Sequence, residues 1–296
     1  MRRLSLVVAA SIGMLFAIPA IGASPVVYNN LTPNNSMAIA TRPDAPGVFE
    51  IEAADDFLLG TATNINAASF TGLIVPGTGA FSVSQVVVEI YRVFPSDSDT
   101  VRTPHVPTRT NSPSDVAFAS KDSGAGEVAF ATNVLSPTFT ALNSVQPGGI
   151  HPSPLQTTGG NGPVTGQEVQ FNVTFASPFN LPADHYFFVP QVTLTNGAQF
   201  FWLSASRPIS GAGTTNFAPD LQAWTRDSML DPDWLRVGMD IVGGVTPPTF
   251  NAAFLLNGDV AAVPEPSTWL LLSLGLGGLG FITRRRSQDH PIPVFS

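Results

Sequence analysis

The chain has 296 residues, 13 Lys and Arg against 21 Asp and Glu, a formal net charge of −8, and no Cys. The acidic balance excludes a nucleic-acid binder held by phosphate contacts. The lack of Cys excludes a disulfide scaffold, a thiol nucleophile, a Cys-ligated zinc and an iron–sulfur cluster.

The N-terminus opens with Met1-Arg2-Arg3, continues as an apolar run over residues 4–18 and ends in Pro19-Ala20-Ile21-Gly22-Ala23. A basic start, an apolar core and small residues make a secretory signal peptide over residues 1–23. Cleavage after Gly22 and cleavage after Ala23 both fit. Residues 24–262 then hold eight basic and nineteen acidic side chains, a net charge of −11. That length suits one large domain able to bury its core without disulfides.

The periodicity that follows is β. Strands are expected over residues 48–52, 65–75, 83–94, 127–135, 138–145, 169–175, 185–194, 199–204 and 251–257. Val169, Phe171, Val173 and Phe175 alternate with Gln170, Asn172 and Thr174, giving one dry and one wet face. Residues 83–94 (VSQVVVEIYRVF) are rich in β-branched and aromatic residues, as expected of a central strand apolar on both faces. Asn196-Gly197 between residues 191–194 and 199–203 predicts a hairpin. Pro and Gly crowd residues 95–114 and 146–166, which read as long loops. Leu221, Trp224 and Leu230 stand near helical spacing behind a capping Asp220, so a helix is expected over 220–230.

Chemistry-bearing motifs are sparse. His105, His151 and His185 show no metal-site spacing, and no G-x-S-x-G elbow or Walker loop occurs. Carboxylates gather at Asp55-Asp56, at Asp97 and Asp99, at Asp227, Asp231 and Asp233, and at Asp240. Asp97-Ser98-Asp99 and Asp231-Pro232-Asp233 have the i, i+2 spacing of calcium loops without the rest of the motif, so Ca²⁺ is a candidate ligand there. Paired acids also suit glycoside cleavage. Trp202, Trp224 and Trp234 are candidate platforms for sugar rings, with core packing as the plainer role. Of the three, Trp234, between Asp233 and Arg236 in a polar stretch, is the best placed to be exposed.

The C-terminus carries three parts in order: Pro264-Glu265-Pro266, an apolar stretch from Trp269 to Ile282, and Arg284-Arg285-Arg286. The uncharged run of 17 residues, 267–283, spans about 25 Å as a helix, short for a hydrocarbon core of about 30 Å. The Arg triplet would stay cytoplasmic. This segment resembles the PEP-CTERM sorting signal, also catalogued as an ice-binding protein C-terminal domain, a label that implies nothing about ice. The resemblance implies cleavage by an exosortase, a transpeptidase-like membrane enzyme, in a host that makes exopolysaccharide. Ten residues, 287–296, follow the triplet, where the family usually stops sooner. Ala54-Asp55-Asp56-Phe57, VVVEIYRVFP and LPADHYFFVPQV are similar to secreted domains that precede this signal, a group from which no functional residue carries over.

The organisation expected is thus a signal peptide (1–23), an all-β extracytoplasmic domain built as one large, jelly-roll-like β-sandwich (24–262), a sorting signal with a transmembrane helix (263–286) and a cytoplasmic tail (287–296). The function expected is a non-enzymatic structural or glycan-contacting component of the exopolysaccharide or biofilm matrix. Its partners would be exosortase, exopolysaccharide and, transiently, the membrane. A carbohydrate-active enzyme and a calcium-dependent adhesin are the alternatives.

Overall fold

Period-two alternation builds the longest strands of this protein. The computed structural model describes residues 24–102, 109–151, 157–209 and 219–261. Fifteen strands occur among them: β1 (Val26–Asn29), β2 (Pro33–Ala40), β3 (Ile51–Leu59), β4 (Thr63–Val75), β5 (Val83–Arg92), β6 (Ala119–Asp122), β7 (Val128–Ala141), β8 (Ser144–Val145), β9 (Val164–Leu181), β10 (Asp184–Leu194), β11 (Gln199–Ala205), β12 (Trp224–Asp227), β13 (Leu235–Arg236), β14 (Asn251–Ala252) and β15 (Phe254–Val260). A single π-helical turn, Val237–Val242, follows β13.

The strands form two sheets. The smaller has the order β13-β12-β3-β10-β5-β6. The larger is built around β4. Its N-terminal part pairs with β15 and its C-terminal part with β11, while β9 runs along the opposite edge and β7 lies outside β9. Beyond these, β1 pairs with β15, and β2 and β14 with β11. All pairings are antiparallel except β2 with β8. Gly72 sits where β4 meets β11. A Cβ there would stand 2.4 Å from the Phe200 ring and from the Phe201 carbonyl oxygen, so the position admits no larger residue without displacement.

The sheets pack face to face in a sandwich-like arrangement, as aromatic contacts across the gap show. Phe188 of β10 stacks on Phe254 of β15 at 5.0 Å with the rings 8° from parallel, and Phe57 of β3 meets Phe254 edge-on at 6.4 Å. Offset and edge-to-face pairs of this kind add to the area each ring buries. Val169, Phe171, Val173 and Phe175 of β9 all point into this core, as their alternation predicts. A second apolar cluster covers the other face of the smaller sheet: Ala54, Tyr91, Phe187, Val189, Leu221, Trp224 and Trp234. Apolar side chains therefore cover both faces of the smaller sheet, with polar and charged groups set among them on the outer one, which accounts for the largely apolar reading of β5 and β10.

Three expectations are corrected. Asn196 and Gly197 do turn the chain, with φ of 58° and 71°. The strands they join, however, lie in different sheets, β10 against β3 and β5, and β11 against β4 and β2. The turn is an arch across the sandwich, not a hairpin. The helix expected over 220–230 does not form. Gln222 has a φ of 68°, and Trp224–Asp227 add to β3 as a strand. Residues 128–135 and 138–141 belong to one strand, β7, which passes Pro137 through an irregularity in register between Ser136 and Phe139. The signal peptide (1–23), the sorting segment (263–286) and the tail (287–296) lie outside the described residues. Among the described residues no helix is long and apolar enough to cross a membrane.

Candidate functional site

The acids of this protein that matter structurally are on strands. In β3, Ile51, Ala53, Asp55 and Phe57 share the face toward the larger sheet, and Glu52, Ala54 and Asp56 the opposite one. Asp55 thus points a carboxylate between the sheets. Its Oδ2 accepts the Ala252 N–H at 2.8 Å, and its Oδ1 has no hydrogen-bond partner among the described residues. Burial pushes this carboxyl well above its ordinary range, and the neighbouring Asp56 adds to the effect. Asp56 Oδ2 accepts the Leu221 N–H at 3.0 Å and lies 2.7 Å from His185 Nε2. Burial raises Asp56 to about 6, and His185 pulls it back down.

A second group of carboxylates meets on the outer face of the smaller sheet. Glu50 precedes β3, Glu52 lies within it and Glu89 lies on β5. One oxygen from each falls within 4.8 Å of the others. The Tyr91 hydroxyl bridges Glu52 at 2.7 Å and Glu89 at 3.1 Å. Arg226 of β12 donates from Nε to Glu52 and from Nη2 to the Tyr91 hydroxyl at 2.9 Å. Its guanidinium carbon lies 4.4 Å from the Trp234 ring centroid, a cation–π contact. Gln191 of β10 donates to Glu50 at 2.8 Å. Burial raises Glu89 to about 7, helped by the charges of Glu52 and Glu50. This cluster escapes a search for adjacent acids, because its strands β3 and β5 are joined only through β10. Its signal was the presence of carboxylates inside otherwise apolar strands.

The residues singled out from sequence fall elsewhere. Asp97 is ion-paired with Arg92, and Asp231 lies 3.2 Å from Arg226. Asp233 is buried, 3.7 Å from Arg102 and 3.8 Å from Arg109. Asp99 caps its own turn by accepting the Val101 N–H, and its backbone N–H donates to Asp115, the partner of Arg109. Four of the chain's arginines are thus spent on these loop carboxylates. The three tryptophans are all buried, Trp202 and Trp224 completely and Trp234 to 2% exposure. This corrects the expectation for Trp234, and none of the three rings presents a face to solvent. Trp234 is held down by Nε1–H donation to the Ser114 carbonyl and by Arg226 above it, with the flanking Asp233 buried and Arg236 half-buried. His105 and the sorting residues Pro264, Glu265, Pro266, Arg284, Arg285 and Arg286 lie outside the described residues.

Two surfaces among the described residues combine polar groups with access from solvent. On the outer face of the larger sheet, Gln170, Asn172 and Thr174 of β9 stand beside Ser69 and Ala67 of β4 and Asn133, Ala131 and Ala129 of β7. This patch bears no charge in a strongly acidic domain. Asn172 Oδ1 accepts from Ser69 at 2.8 Å and from Gln170 at 2.7 Å, which fixes the amide with its nitrogen free to donate outward. The second is a polar cleft of about 170 Å³ lined by Asn34, Arg207, Asp220, Gln222 and Asn251 among others. Asp220 is the one carboxylate in that lining.

Comparison with known families matches residues 262–286 to the PEP-CTERM protein-sorting motif. The motif marks the chain as a secreted protein sorted by exosortase. No curated protein and no solved structure matches the chain.

Proposed function

We propose that the mature domain works outside the cytoplasm as a non-enzymatic structural component that contacts neutral glycans of an exopolysaccharide matrix. The observation that carries this reading is the uncharged amide and hydroxyl patch around Asn172. Sugar hydroxyls are matched by groups that both donate and accept, and a patch already hydrogen-bonded within itself loses little entropy on binding. A net charge of −11 repels acidic polysaccharide, so a neutral one is the better partner. The non-enzymatic part is supported by the placement of the acids. Glycoside cleavage uses two carboxyls flanking one cleft. Asp55 and Asp56 are enclosed, Asp220 stands in its cleft without a second carboxylate, and Glu50, Glu52 and Glu89 converge on one face of the smaller sheet rather than flanking a cleft.

The test is co-sedimentation of the mature protein, recovered from its host, with the host's own exopolysaccharide and with a neutral and an acidic fraction of it. Binding to the neutral fraction is expected to weaken at least tenfold in Asn172→Asp, which puts a charge at the centre of the patch. Equal binding by the variant, or no binding by the parent protein, would overturn the reading.

A further inference from the structure

We propose that Glu50, Glu52 and Glu89, together with the side-chain oxygen of Gln191, form a binding site for a divalent cation of the hard, oxygen-seeking class, Ca²⁺ being the ion that fits. The site is separate from the glycan patch and does not depend on it. Three features carry it.

The first is geometric. A Ca²⁺ ion takes oxygens at about 2.3–2.6 Å, so two oxygens on one ion are at most about 5 Å apart. The three glutamates already place one oxygen each within 4.8 Å of the others.

The second feature is Gln191. It is 1% exposed, and its amide nitrogen is fixed on Glu50. Its Oε1 has no hydrogen-bond partner among the described residues. A buried amide oxygen left unpaired is costly. A neutral carbonyl oxygen is also a usual Ca²⁺ ligand. The unpaired atom belongs to the same side chain that touches the cluster.

The third feature is charge. Arg226 serves Glu52 through Nε, but its remaining donors are committed. Nη1 goes to Asp231 at 3.2 Å, with the Asp115 and Pro232 carbonyls at 3.3 and 3.2 Å, and Nη2 goes to Tyr91. None of the hydrogen bonds from Arg226 reaches Glu50 or Glu89. Three carboxylates and Asp231 therefore share a single guanidinium.

The shape of the site follows from its strands. Glu52 and Gln191 form a buried floor, and the half-buried Glu50 and Glu89 leave a side for entry and for water ligands. Tyr91 and Arg226 orient Glu52 from behind, the role that outer-sphere partners play at metal sites. An all-oxygen set with no imidazole or thiolate disfavours zinc and copper.

The test uses the mature protein stripped with EDTA. Terbium(III), which replaces Ca²⁺ in oxygen sites, is added and its emission is read on excitation of the aromatic residues. Tyr91 and Trp234, 5.5 Å apart, stand against the cluster as donors. Sensitised emission that Ca²⁺ displaces is expected. It should fall at least tenfold in Glu50→Gln and in Gln191→Leu and persist in Asp97→Asn. In parallel, Ca²⁺ at about one hundred times its Kd should raise the Tm by about 5–10 °C. The inference is overturned if neither signal appears, or if both survive in Glu50→Gln and Gln191→Leu. Glu50 is half-buried and its Gln replacement keeps the shape, so that variant is expected to fold. Circular dichroism checks it, and the parent protein's terbium signal tests cation binding without any variant. Loss of glycan binding with cation binding intact, or the reverse, distinguishes the failure of one proposal from that of the other.

Discussion

Acid should stabilise this domain, and Asp56 shows why. Its carboxyl titrates at about 6 in the folded protein, because burial disfavours the charge more than His185 favours it. In the unfolded chain it titrates near 3.9. Between those values the folded state keeps a proton that the unfolded chain has released. The contribution is fully present below about pH 4 and is lost as the pH rises through 6. Two pH units at 1.36 kcal/mol each make the loss about 3 kcal/mol above pH 7. Asp55 is raised by burial too and acts with the same sign. Asp56→Asn removes the charge and keeps an oxygen for the Leu221 N–H. Urea unfolding read by tryptophan fluorescence at pH 4.5, 5.5, 6.5 and 7.5, in EDTA, gives the stability of both proteins. The parent protein should lose about 2 kcal/mol more than the variant between the lowest and highest pH, the rest of the loss falling below pH 4.5. Parallel curves for the two would refute the reasoning, because they would mean that Asp56 titrates alike folded and unfolded.

Three other outcomes follow from the packing and the sorting signal. Phe254→Ala removes the ring that meets Phe188, Tyr28 and Trp202 at the centre of the sandwich, and unfolding measurements should show a loss of about 3–5 kcal/mol. Arg226→Met leaves Glu52 buried without its cation and should cost about 3–5 kcal/mol, part of which the double variant with Glu52→Gln recovers. Glu265→Ala, or deletion of residues 284–286, should leave an uncleaved, membrane-held precursor that an immunoblot separates from the mature form; normal maturation would contradict the sorting assignment.

How much of the fold was legible depends on the range of the interaction. The alternation in β9 is local, and it named the buried residues correctly because a strand with one wet face repeats every two residues. The turn at Asn196-Gly197 was local as well, and both residues take positive φ. Which partners β10 and β11 choose is not local. A turn signal says that the chain reverses, and an arch and a hairpin reverse it alike. The same limit explains 220–230. Leu221, Trp224 and Leu230 are all buried, but two layers bury them: Leu221 and Trp224 under the cover of the smaller sheet, Leu230 in the main core. Their spacing imitates a helical stripe although no single face unites them.

The candidate sites divide along the same line. Asp97, Asp99, Asp231 and Asp233 attracted notice because they are neighbours in sequence. Neighbouring acids in Pro-rich loops repel one another and recruit cations, and here arginines from β5, β12 and the adjoining loop supply them. Glu52 and Glu89 are far apart in sequence and come together because β10 holds β3 and β5 at a fixed separation on either side of it. An ion pair can satisfy a loop carboxylate wherever an arginine happens to reach. A carboxylate fixed on a buried strand cannot move to find a partner, so the partner must be built beside it or arrive from solution. Glu52 has its partner in Arg226. Among the described residues Glu50 and Glu89 have no ion pair: Gln191 donates to Glu50, and Glu89 is hydrogen-bonded to Tyr91 and Glu52. That asymmetry singles out the face of β3, β10 and β5 around Glu50, rather than the acidic loops, as the place where calcium dependence should be sought.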